Sequence, residues 1–87
     1  MSQFTTECLD TFLRNQGQLF RENVAADREE AAEFLEECMA ETVSSIAEVR
    51  KWLDESGMDV SGMSDEELAG QAEVFPLPDG SYLIVEG

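Results

Sequence analysis

The stretch Asp27–Ser56, "DREEAAEFLEECMAETVSSIAEVRKWLDES", decides how the rest of the chain is read. Ala32, Leu35, Met39, Thr42, Ile46, Val49 and Leu53 follow one another in alternating steps of three and four. That is the spacing of a helical seam. A second row, Ala31, Phe34, Cys38, Ser45 and Trp52, widens the face beyond what one partner helix covers. Asp27 and Glu30 stand in the Asp-x-x-Glu arrangement of a capping box, with Asp in place of Ser or Thr. Gly57 follows where a left-handed residue closes a helix. The pattern predicts one helix over 27–56, about 45 Å long at a rise of about 1.5 Å per residue.

Upstream, Phe4, Cys8 and Phe12 are spaced four apart, and Leu9, Leu13 and Phe20 continue the apolar side. Ser2 or Thr5 serves as N-cap. Gly17 costs about 1 kcal/mol in a helix interior, yet Leu19 and Phe20 still need burial, so the first helix is expected over 3–23. The turn at 23–26 then folds the two helices into an antiparallel hairpin. Counted outward from that turn, Phe12 falls near Phe34, and Cys8 lies level with Cys38. The first helix runs out near Thr42 and leaves Ile46, Val49, Trp52 and Leu53 without cover.

Downstream, the loop "GMDVSGM" offers Met58, Val60 and Met63 as anchors. Ser64 and Glu67 form a Ser-x-x-Glu capping box that opens a short helix over 64–70. A β-hairpin over 73–86 turns at Pro78-Asp79-Gly80. Pro76 has no amide donor, which makes its strand an edge or a short one. Tyr82 and Ile84 face one side of the last strand and Leu83 and Val85 the other, so both sides need cover. The expected fold is mainly α, of the α+β class, in one domain over 1–87. It comprises an antiparallel helical hairpin with a long second helix, a short third helix and a small C-terminal β-hairpin.

Charge narrows the functional classes. Twenty acidic residues against five basic ones leave −15 on 87 residues. Such a surface repels nucleic-acid backbones and anionic membranes, which need clustered Lys and Arg, and it favours basic partners. The opening "MSQFTTECLD" has neither a basic head nor an apolar run, so no secretory signal is expected and a cytoplasmic location follows. The chain holds no histidine. Cys8 and Cys38 therefore lack an activating base and cannot by themselves make a zinc site, and both sit on apolar stripes, where thiols act as small hydrophobes. Both are expected to be buried and reduced. The glycines are not spaced to cradle phosphate. No catalytic residue, cofactor or metal site is expected, and the chain reads as a non-enzyme.

The expected function is an accessory or regulatory protein-interaction module, a homodimer joined through Ile46, Val49, Trp52, Leu53, Tyr82, Leu83, Ile84 and Val85. An unpaired edge on the last strand adds to the need for a partner, and Leu83→Lys is expected to split the dimer while leaving most helix content. An alternative assigns the function to an acidic face of Glu29, Glu30, Glu33, Glu36, Glu37, Glu41, Glu48 and Glu55. That face would imitate a nucleic-acid backbone and inhibit a basic DNA- or RNA-binding protein, as in anti-restriction or anti-defence. A second alternative is a carboxylate-rich metal binder, although carboxylate-bridged bundles aim their ligands inward and use histidine.

Overall fold

A computed structural model describes residues 4–85 of the chain. It is an α+β fold, as expected. The elements are α1 (Thr6–Asn15), a 3-10 turn (Gln16–Gln18), α2 (Arg28–Glu37), β1 (Glu41–Val43), α3 (Ile46–Glu55), α4 (Asp65–Ala69), β2 (Val74–Pro76) and β3 (Tyr82–Ile84). Ser2, the first expected helical residue at 3 and the last hairpin residue at 86 lie outside the described residues.

The helix expected over 27–56 is divided into α2, β1 and α3. Asp27 caps α2 as predicted, its carboxylate accepting the Glu30 N–H at 2.9 Å. The helix stops at Cys38 because Met39 turns left-handed, at φ 59°. The Met39 N–H donates to Glu36 O at 3.3 Å and the Ala40 N–H to Leu35 O at 2.9 Å. Those two bonds are the Schellman closure, here with methionine where glycine is usual. Restart is local too: Ser45 accepts the Glu48 N–H at 3.3 Å, and Glu48 reaches back to the Ser44 N–H at 2.6 Å. The Ser45-x-x-Glu48 signal lay inside the apparent seam. That seam joined residues of two different cores, Leu35 in one and Val49 and Leu53 in the other. Met39, at its centre, is 82% exposed.

A non-glycine residue in this backbone region costs about 1–2 kcal/mol. Met39→Gly is therefore expected to stabilise the fold by about 1 kcal/mol, read as a higher urea midpoint with an unchanged slope. An unchanged or lower midpoint would mean that the exposed side chain contributes contacts that offset its strain.

The first helix is also shorter than expected over 3–23. Thr5 caps it, accepting the Cys8 N–H at 3.1 Å, and α1 tightens into the 3-10 turn at Gln16. Leu19, Phe20 and Val24 still pack on the core, but from irregular chain. Gln16 holds that chain in place. Its amide oxygen accepts the N–H groups of Val24 and Ala25 at 2.7 and 3.2 Å, and its NH2 donates to the carbonyls of Leu13 and Ala25 at 3.1 and 3.0 Å. A buried polar side chain is thus fully satisfied, and nine residues of connection need no helix of their own.

The sheet is antiparallel with order β1-β3-β2. The predicted hairpin is present: Leu77-Pro78-Asp79-Gly80 is closed by the Gly80 N–H to Leu77 O at 3.1 Å, and Gly80 takes φ 90°. That is a three-residue loop with glycine at its left-handed position. Pro76 lies on an edge strand, as its missing donor requires. The capping box at Ser64 and Glu67 opens α4, and Gly57, at φ 101°, closes α3.

Side chains alternate across the sheet, so it carries a core on each face. One face packs Phe75, Leu77, Leu83 and Val85 against α1 and α2. There Phe12 meets Phe34 at a centroid distance of 5.8 Å, as the sequence predicts, and Phe75 at 5.4 Å. The other face packs Val74 and Ile84 against Val49 and Leu53 of α3, Leu68 of α4 and Val60 of the intervening loop.

Candidate functional site

The residues expected to form a dimer contact are mostly spent inside this chain. Val49, Leu53 and Ile84 lie in the core under α3 and α4, and Leu83 and Val85 in the core under α1 and α2. Ile46, Trp52 and Tyr82 are half-buried against the α3–α4 core. The expected free edge of the last strand is corrected as well, because β3 is central, with β1 on one side and β2 on the other. Both reasons for requiring a second copy are met within the fold. The physical cause is the breaking of the long helix. It brings β1 to the sheet and tips α3 onto the face that α1 does not reach.

The acidic side chains remain outside. Glu29, Glu30, Glu33, Glu36, Glu37, Glu41, Glu48 and Glu55 are all exposed. They do not share one rod. Five belong to α2, Glu41 to β1, and Glu48 and Glu55 to α3. Three have structural duties: Glu30 accepts the Ala26 N–H at 2.8 Å, Glu41 the indole N–H of Trp52 at 3.0 Å, and Glu48 the N–H and hydroxyl of Ser44. The carboxylates of Glu29, Glu33, Glu36, Glu37 and Glu55 accept no hydrogen bond from the described residues. Two ion pairs occur among the described residues, Arg28–Asp10 at 2.7 Å and Arg50–Asp65 at 3.4 Å. Neither neutralises a member of this set. Arg50 is largely structural, donating also to the carbonyls of Val60 and Met63 at 2.7 and 2.8 Å.

Local hydrogen bonding decides which carboxyls resist protonation. Donation from the Arg28 guanidinium holds Asp10 below the usual carboxylate range. Bonds from the Ser44 N–H, and then its hydroxyl, lower Glu48. Ser61 and Ser81 do the same for Asp59 and Asp79. Each such contribution to stability is present above the ordinary carboxylate pKa and is lost as pH falls through the lowered one.

Cys8 is buried, and its thiol is pushed up to about 11, first by burial and then by the Asp79 charge. It is a poor nucleophile. Cys38, expected to be equally buried, is half-exposed at the end of α2. A thiol reagent is therefore expected to label Cys38 well before Cys8 in the folded protein. Equal rates, with both fast, would contradict the packing of α1. Among the described residues no group of three or more His, Cys, Asp or Glu side chains is placed to hold a metal ion. No helix among them is long and apolar enough to cross a membrane.

With so few cations set against the carboxylates, self-repulsion opposes the compact state. The melting temperature is expected to rise as sodium chloride is added from near zero to about 0.15 M, where the screening length shrinks to about 8 Å. A falling curve would show that the carboxylates are compensated within the fold.

Sequence reading missed three features around this surface. Gln16 gave no signal, because glutamine is usually exposed. The restart at Ser45 did give one, the Ser-x-x-Glu spacing. The exposed Met39 beside Thr42 at the β1 edge follows from the helix break itself. The chain matches no protein-family model, no curated protein and no solved structure, so its reading rests on its own geometry.

Proposed function

We propose that this chain is a non-enzymatic, cytoplasmic interaction module that binds a basic partner protein through its carboxylate surface, as an accessory or regulatory factor. One observation carries the reading. The glutamates of α2 face solvent with no cation among the described residues paired to them, in a chain of net charge −15. Such a field speeds encounter with positive partners and repels like surfaces. A homodimer draws less support, because Leu83, Ile84 and Val85 are buried in their own chain and a second copy carries the same charge. The absence of histidine and the raised thiol of Cys8 speak for binding over catalysis.

Capture of proteins from the native host on the immobilised chain tests this. A basic protein retained at low salt and released at high salt is the expected result. Its capture is expected to be lost when Glu29, Glu33, Glu36 and Glu37 are all changed to Gln. Retention that ignores both salt and these substitutions would overturn the proposal. If the captured protein binds nucleic acid, competition by duplex DNA separates mimicry of a phosphate backbone from recognition elsewhere on the partner.

A further inference from the structure

The two edges of the sheet are finished differently. The Val85 N–H donates to Glu73 O at 2.9 Å and the Leu77 N–H to Ser81 O at 2.8 Å. In an antiparallel ladder hydrogen-bonded pairs alternate, so Phe75 and Leu83, the pair midway between those, are bonded to each other. The N–H and C=O of Leu83 therefore face β2, and those of Tyr82 and Ile84 face β1. Their partners on β1 are Val43 and Glu41. Thr42, between them, points its N–H and C=O out of the sheet.

On the opposite edge no outward donor is left over. The Val74 N–H donates to Gln71 O at 3.0 Å, the Val74 carbonyl accepts the side chain of Gln18 at 3.0 Å, and Pro76 has no N–H. Folded proteins usually shield an edge in this way. Among the described residues nothing pairs with the outer edge of β1, which lies beside a shallow concavity lined by Glu36, Met39, Ala40, Glu41 and Thr42. Met39 supplies an exposed, flexible thioether side chain there.

The charge around this edge selects the occupant. The C-terminal end of α2 carries the negative end of its dipole, and its last turn holds Glu36 and Glu37 with no basic residue. A cation is favoured at this place and an anion is not. A β1 strand from a second copy would bring the same carboxylates face to face. We propose that the outer edge of β1 takes an extended, lysine- or arginine-bearing segment of the partner as a fourth strand, bonded to Thr42. This rests on the basic-partner reading above and specifies how such a partner is held. Because side chains alternate, the partner residue opposite Thr42 lies on the α2 side of the sheet, where Glu36 and Met39 are. Its two neighbours lie on the side of Glu41. Strand addition of this kind takes affinity from main-chain bonds and selectivity from alternate side chains.

Two peptides of equal charge test it: Lys-Val-Lys-Val-Lys-Val-Lys, which favours a strand, and Lys-Gly-Lys-Gly-Lys-Gly-Lys, which does not. The strand-forming peptide is expected to bind more tightly and to slow exchange of the Thr42 amide in the unaltered protein. Thr42→Pro removes the outward donor and takes no hydrogen bond from the β1–β3 ladder, as Pro76 takes none from its own pairing on the other edge. It is expected to weaken that peptide by about tenfold, the worth of roughly one hydrogen bond of about 1.4 kcal/mol, and to leave the glycine peptide unaffected. The amide-exchange measurement on the unaltered protein does not depend on how the variant folds. Equal binding of the two peptides with no protection at Thr42 overturns the strand and leaves the carboxylate reading intact. Failure of both peptides to bind overturns the carboxylate reading itself. Protection of Thr42 by self-association, seen as a dimer in light scattering without peptide, overturns the basic occupant.

Discussion

Leu83→Lys is expected to abolish cooperative folding, with loss of most helical signal in far-UV circular dichroism. Leu83 is 0% exposed at the centre of the middle strand, paired to Thr42 on one side and Phe75 on the other. Truncating such a leucine costs about 2–5 kcal/mol, and an unpaired ammonium in the same place adds several kcal/mol more. A domain of this length is stable by roughly 4–13 kcal/mol, so the change takes most or all of it. The sequence alone points instead to a split dimer with its helices intact. The two outcomes separate cleanly: a helical, folded monomer would put Leu83 at a surface and bring back the dimer contact. Leu83→Met, which nearly conserves volume, is expected to cost under about 1.5 kcal/mol.

Gln16→Leu is expected to cost about 3 kcal/mol and to lower the melting temperature by roughly 12–24 °C for a domain of this size. The substitution keeps a side chain of similar bulk but strands the N–H groups of Val24 and Ala25 and the Ala25 carbonyl. Hydrogen exchange gives the sharper reading, since the Val24 and Ala25 amides should lose protection ahead of those in α1. Gln16→Glu adds a test of sign. It keeps the acceptor oxygen but turns a second oxygen toward the carbonyls of Leu13 and Ala25. Burial and those carbonyls raise the pKa of the new carboxyl in the folded state. The stability that this group contributes is present in full below the ordinary carboxylate range and is lost as pH rises through the raised value. A Gln16→Leu protein that melts within a few degrees of the parent would show that the 19–27 connection is held by apolar packing of Leu19, Phe20 and Val24 alone.

Features made by a few adjacent residues were legible in the sequence. Thr5, Asp27, Ser64 with Glu67, Gly57 and Pro78-Asp79-Gly80 each satisfy or turn backbone groups within three or four positions. The pairing of Phe12 with Phe34 was legible too, because two apolar helical stripes joined by a turn must face each other. Charge was read directly, and the carboxylates lie outside as their solvation demands.

What the sequence by itself determined, then, is the α+β class, the caps and turns, and the acidic exterior. Tertiary structure decided the middle of the chain. Steps of three and four across 32–53 fit one long helix as well as two short ones. Thr42 and Val43 suit a strand as readily as a helix, and Met39 carries no glycine-like mark of a stop. The choice turns on contacts far away in sequence. With the chain broken at Met39, Glu41 and Val43 pair with Ile84 and Tyr82, and α3 covers Val74 and Ile84 on the far face of the sheet. A continuous helix would leave the edge of β3 and that apolar face in water. Burial of the face outweighs the roughly 1–2 kcal/mol of strain at Met39, a balance set by residues some forty positions downstream that no local pattern contains.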